Sequence, residues 1–151
     1  MRPPPNEPAK RAKSRVPAPD KAVSDMPNDE LSKRELGRYI EDQAIEILHQ
    51  RGYTLIQRNW WLRPYGEIDI IMSRDRAVCF VEVRGRRITA CTDIYGGAAA
   101  SLSAEKLRRL RNLATAWLRR NRSDAPAELL AFAAEHDSSG RIVNWELIPI
   151  M

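Results

Sequence analysis

The stretch Gly66-Glu67-Ile68-Asp69-Ile70-Ile71-Met72-Ser73-Arg74-Asp75-Arg76-Ala77-Val78-Cys79-Phe80-Val81-Glu82-Val83-Arg84 decides how this chain folds. It reads as two strands, Glu67 to Ser73 and Ala77 to Arg84, rich in β-branched residues and joined by a short turn at Asp75-Arg76. With the turn centred between those two residues, positions whose numbers sum to 151 face each other. Ile68 then stands opposite Val83, Ile70 opposite Val81 and Met72 opposite Cys79, giving one wholly apolar face. A slip of one residue would set Ile68 against Glu82 and drive a carboxylate into that layer, a strong penalty because side chains alternate with period two.

The other face sets Ser73 against Val78, Ile71 against Phe80, Asp69 against Glu82 and Glu67 against Arg84. Directly opposed, the β-carbons of Asp69 and Glu82 would lie about 4.5–5.5 Å apart, where like charges weaken a sheet unless something neutralises them. A divalent cation would do so, and two carboxylates with room for water suit Mg²⁺ better than zinc. The same spacing is also met by an ordinary Glu67–Arg84 ion pair, with Asp69 and Glu82 splayed into solvent or sharing a proton.

Outward from this hairpin, Ser32 followed by Glu35 forms a capping box, and Leu36, Ile40, Ala44, Ile47 and Leu48 recur at helical spacing. A helix over Lys33 to Arg51 follows, stopped by Gly52, and then a strand from Tyr53 to Trp61. Ser103 starts a second helix, with Leu107, Leu110, Ala114, Trp117 and Leu118 as its apolar stripe, ending near Arg120. Leu129 to Glu135 and Arg141 to Ile148 make a final hairpin across Asp137-Ser138-Ser139-Gly140. The order αβββαββ predicts an α/β chain of the mixed α+β kind, with helices packed on a sheet. Residues 1–30 hold seven of the ten prolines, six basic and five acidic side chains and almost no large apolar residue. They read as a disordered tail ahead of a domain spanning residues 31–151.

Charged residues make up 30% and hydrophobic residues 43%, enough for a core beneath a strongly ionic surface. The net charge is +5. The longest apolar run, Leu129 to Ala134, is far below the roughly 20 residues that cross a bilayer, and no signal-peptide core develops at the start. Cys79 and Cys91 stand apart from any Cys or His cluster and read as reduced thiols of a cytoplasmic protein. His49 and His136 are far apart in sequence and read as surface groups.

The words Gly66-Glu67-Ile68-Asp69-Ile70-Ile71 and Phe80-Val81-Glu82-Val83-Arg84, with twelve residues between Asp69 and Glu82, resemble the YraN family of bacterial proteins. Leu36-Gly37 through Glu41-Asp42-Gln43-Ala44, the Arg58-Asn59-Trp60 stretch, Tyr95-Gly96-Gly97-Ala98-Ala99-Ala100-Ser101 and Lys106 fall in the same order, so the likeness covers roughly residues 36–120. The resemblance implies a restriction-endonuclease-like core of the PD-(D/E)xK type, distantly similar to Holliday junction resolvases, and with it a Mg²⁺- or Mn²⁺-dependent nuclease acting on DNA. By position, Asp69 and Glu82 would be the metal-binding acids, with Glu41 turned toward the same site and Glu67 in a supporting role. Arg84 would stand where the motif has lysine; because a guanidinium stays protonated, it would orient water or stabilise phosphate charge rather than act as a base. The late strand of the family commonly reads Arg-Phe-Asp where this chain has Leu129-Leu130-Ala131. Junction resolvases also imply a homodimer. The alternative is a non-catalytic nucleic-acid-binding or repair-accessory protein of the same fold.

Basic residues surround the acidic words. Arg84, Arg86 and Arg87 follow Glu82, and Lys106 and Arg109 share one face of the second helix, an arrangement suited either to DNA phosphates or to plain solvation. Arg119 and Arg120 complement the helix C-terminus. Trp60 and Trp61 must point to opposite faces of a strand. One is assigned to the core and the other to partly buried packing, with stacking on an unpaired base as its alternative.

Overall fold

The computed structural model describes residues 12–15, 31–89 and 102–150. Its elements are β1 (Ala12–Arg15), α1 (Lys33–Gln50), β2 (Thr54–Leu62), β3 (Gly66–Arg74), β4 (Ala77–Arg87), α2 (Ala104–Arg120), β5 (Ala127–His136) and β6 (Ile142–Pro149). From residue 31 onward this is the αβββαββ order expected, a mixed α+β architecture compatible with an α/β nuclease-like fold. The short β1 lies within the stretch read as a tail and pairs antiparallel with β6. The Tyr95–Ser101 segment and Cys91 lie outside the described residues.

One sheet runs in the order β1-β6-β5-β4-β3-β2. All neighbours are antiparallel except β4 and β5, which are parallel. Parallel strands need a crossover connection, and α2 lies in the one between them. The Ser32 capping box starts α1: its hydroxyl accepts from Glu35 N at 3.3 Å, and Glu35 Oε2 accepts from Ser32 N at 2.9 Å.

Alternation along β3 and β4 divides the core into two layers. On one face Ile70, Met72, Cys79 and Val81 pack with Ile40, Ala44 and Leu48 of α1, and with Phe132 stacked on Trp145 at 5.4 Å between ring centroids. On the other, Ile71, Val78 and Phe80 pack with Leu110, Leu113 and Trp117 of α2, the Phe80 and Trp117 rings meeting edge to face at 5.7 Å. Each helix therefore covers one face of the same hairpin, and that hairpin is the centre of the molecule.

Two close approaches hold α1 over the sheet. A Cβ on Gly85 would come within 2.6 Å of Ile40 Cδ1, so a side chain there would push the Ile40 tip from its place on β4. The Gln43 amide binds the last turn at both ends, donating to Gly140 O at 2.8 Å and accepting from Ile142 N at 2.9 Å. His136, expected at the surface, is buried, with Nδ1 2.9 Å from the Asp137 carbonyl. It ends β5 beneath α1, where its ring lies beside Gly85. Cys79 is a free, buried thiol; burial first, then the Glu128 carboxylate 3.8 Å away, pushes it up to about 12.

Candidate functional site

The β3–β4 ladder carries the register derived from the sequence through five pairs, from Arg74↔Ala77 to Ile70↔Val81. There it stops. Asp69 does not form the expected ladder pair with Glu82; its side chain enters the gap, and Asp69 Oδ2 accepts a hydrogen bond from Val83 N at 2.8 Å. A carboxylate thus satisfies the β4 amide that a β3 carbonyl would otherwise serve, and the two strands part beyond it.

The same level of the sheet is irregular on the other side of β3. Arg58↔Ile70 and Trp60↔Ile68 are paired, and between them Asn59 adopts a left-handed backbone with φ 49°. Gln57 and Trp60 belong to the α2 side: Gln57 Oε1 accepts from Trp117 Nε1 at 3.1 Å, and Trp60 packs on the α2 layer. The two residues between them face α1: Arg58 Nη1 meets Asp42 Oδ1 at 2.7 Å, and Asn59 Nδ2 donates to Glu41 Oε2 at 3.2 Å. On β3, Ile68 and Ile71 likewise share the α2 layer with Asp69 and Ile70 between them. Alternation slips by one on both strands at this level. This corrects the expectation that Ile68 lies on the face of Ile70 and Met72, because Asp69 has left the ladder that enforced simple alternation.

The acids gather at this opening. Glu82 is 6% exposed, and its Oε1 is held by the Lys106 ammonium and lies 3.8 Å from Arg84 Nε. Burial, then the charge of Glu82, then those of Glu41 and Glu67, push the Asp69 carboxyl up to about 7 despite the Val83 N–H bond. Glu41 is also raised, chiefly by burial, against the Asn59 hydrogen bond and Arg58, whose Nη2 lies 3.8 Å away. Glu67 is exposed and pairs with Trp61 on β2; it is not a ladder partner of Arg84. Among the described residues, no group of three or more His, Cys, Asp or Glu side chains is arranged as a ready metal cage.

The basic residues are deployed unevenly. Lys106 and Arg109, read from i, i+3 spacing as sharing a helix face, do lean the same way: Lys106 reaches Glu82, and the Arg109 side chain lies over Gly66, 3.7 Å from where a Cβ would stand. Arg86 Nη2 lies 3.8 Å from Glu135 Oε1, and Arg87 is exposed at the end of β4. Arg120 lies over the Trp60 ring at 5.8 Å. Sequence reading missed the Lys106–Glu82 pair, because nothing in i, i+3 spacing says what a helix face meets. It also missed the role of Asn59, which it named only within the Arg58-Asn59-Trp60 words; the physical signal is the tolerance of asparagine for positive φ.

The family model described as Uncharacterised protein family UPF0102 matches residues 40–134, which include α1 from Ile40, the acidic hairpin, α2 and most of β5. A UPF0102 protein of Shewanella baltica is 40% identical over 110 residues, covering 73% of this chain and 94% of its own length. One of Vibrio parahaemolyticus is 35% identical over 119 residues, covering 76% and 91%. One of Mycolicibacterium vanbaalenii is 42% identical over 87 residues, covering 58% and 68%. The matched span contains every acid and base of the opening in the β3–β4 ladder, and the chain belongs to the UPF0102 family.

Proposed function

We propose that this chain is a metal-dependent endonuclease that hydrolyses DNA phosphodiester bonds at the opening between β3 and β4. One observation carries the reading: a buried carboxylate, Glu82, and a partly buried one, Asp69, are held where the ladder parts, with Asp69 pushed up to about 7 by desolvation and by Glu82. A fold tolerates such crowding where a site needs it. The donors are oxygen only, Glu82 is buried, and Val83 N–H engages Asp69 through Oδ2, a set that fits a hard cation such as Mg²⁺ or Mn²⁺. Asp69 and Glu82 would hold it, with Glu41 in outer support through Asn59. When bound, the ion would supply Lewis-acid stabilisation of the phosphate and a more acidic water.

The chain's own groups do the rest. Val83 N–H fixes one oxygen of Asp69, so the other is presented in a single direction. Lys106 balances Glu82 and stands beside Arg84, placing two basic side chains at the site for an incoming phosphate. Arg109 over Gly66 and Arg87 at the end of β4 extend the positive surface that DNA backbone binding needs. A second reading, a nucleic-acid-binding or repair-accessory protein without cleavage, is favoured by one feature: the Lys106 ammonium already occupies Glu82, as a permanent internal counter-ion would.

Labelled junction, flap and linear DNA, incubated with the purified protein in Mg²⁺ or Mn²⁺, separates them. Cleavage by the wild type that falls at least about 100-fold in Glu82→Gln is expected. Cleavage that survives the substitution overturns this site, and binding without cleavage in either metal establishes the accessory role.

A further inference from the structure

We propose that Trp61 and Tyr65, at the turn end of the β2–β3 hairpin, stack on unpaired bases, so that the DNA cut by this site carries a single-stranded segment beside the scissile bond. The inference rests on the nuclease reading and names its substrate class. The two adjacent tryptophans have different surroundings. Trp60 is partly buried against the α2 layer, under Arg120. Trp61, the other member of the pair, is 56% exposed rather than partly buried, and Tyr65 four residues on is 54% exposed. The exposed Arg63 lies between them, and Arg109 backs Gly66 immediately after Tyr65.

Position relates this pair to the acids. Trp61 is the ladder partner of Glu67, two residues from Asp69, hence about 7 Å along the strand. That is roughly two stacked base steps from the carboxylate pair. A base in a duplex has both faces covered by its neighbours, whereas an unpaired base offers a π-face to tryptophan or tyrosine, and arginines beside the rings hold the phosphates that come with it. Charge therefore matches a polyanion. The patch is also too broken for a protein partner: Trp61 is separated from the other exposed apolar residues of β2, Leu55 and Ile56, by Gln57, Arg58 and Asn59, which bond to Trp117, Asp42 and Glu41.

Fluorescence anisotropy in EDTA, which reads binding without cleavage, tests this with one blunt duplex, the same duplex bearing a single-stranded flap, and the single strand alone. Trp61→Ala should weaken binding to the flap and the single strand by about tenfold, leave the blunt duplex unchanged, and be largely rescued in Trp61→Phe. Tyr65→Ala should show the same selectivity at smaller size. Equal affinities of wild type and Trp61→Ala for all three DNAs overturn the stacking and leave the nuclease reading intact. An equal loss on all three, or a lower sedimentation mass for Trp61→Ala than for the wild type, also overturns it, the latter by making Trp61 a contact between copies. Failure of the wild type to bind any of the three, in Ca²⁺ as well as in EDTA, overturns the nuclease reading and the stacking with it.

Discussion

The two ends of the β3–β4 hairpin are built from the same pair of strands and behave differently. Near the turn, from Ile70↔Val81 to Arg74↔Ala77, the ladder is regular, and Ile70, Ile71, Met72, Cys79, Phe80 and Val81 are all fully buried between two helices. One residue further along, Asp69 replaces a backbone pairing with its side chain, alternation slips, and carboxylates take the place of hydrocarbon between the strands. The difference teaches that the apolar end supports the polar one: crowded carboxylates persist because a cooperative, well-packed segment fixes the strands that carry them.

The first way to break this contrast is at the closed end. Phe80→Ala removes a fully buried ring that meets Trp117 edge to face, and should lower stability by about 3–5 kcal/mol in urea unfolding. Loss of the proposed cleavage should track unfolding rather than precede it.

The second works at the open end with the opposite sign. Asp69 is raised from 3.8 to about 7, so the folded protein holds this proton more tightly than the unfolded chain does. Its stabilising contribution is full below about pH 4 and is lost as pH rises through about 7. Asp69→Asn keeps an oxygen for Val83 N–H without the charge, and in metal-free buffer at pH 8 should be roughly 2 kcal/mol more stable than the wild type. It should flatten the pH dependence of the urea midpoint between pH 4 and 7 while abolishing cleavage. A variant less stable than the wild type at pH 8 would show that the crowding described above is not felt.

The third sharpens the role of the helix that carries Glu41. Gly85→Ala drives a methyl group to within 2.6 Å of Ile40 Cδ1 and should cost roughly 1–2 kcal/mol. Ile40 precedes Glu41, so a shift of this turn of α1 to relieve the contact should loosen the Asn59–Glu41 hydrogen bond, visible as faster exchange of the Asn59 side-chain amide protons by NMR, whereas a turn of the Ile40 tip alone should leave that exchange unchanged.

This contrast also marks how far the sequence could be read. The closed end was legible in full: apolar alternation on two strands admits one register, and five pairs follow it. The capping box and both apolar stripes placed the helices to within a residue or two, since local periodicity and caps are short-range physics. The open end was legible in composition but not in geometry. Asp69 and Glu82 were singled out, yet their expected direct opposition assumed a ladder that the Asp69 side chain interrupts. Burial of His136 and the Gln43 clamp on Gly140 and Ile142 depend on where α1 crosses the final hairpin, a distance of nearly one hundred residues that no local pattern encodes. The parallel pairing of β4 with β5 is equally non-local, because it follows from where α2 carries the chain.

The irregular backbone of β2 has a consequence for the protein in concentrated solution. β2 is an outer strand of the sheet, nine residues long, and exposes Leu55, Ile56 and Trp61, the composition of a template on which further chains add edge to edge. The register shift between Leu55 and Gln57 and the left-handed Asn59 bend it twice, so no straight row of amides faces outward for a neighbour to copy. The kink that aims Asn59 at Glu41 thereby also interrupts the edge that a neighbouring chain would have to copy.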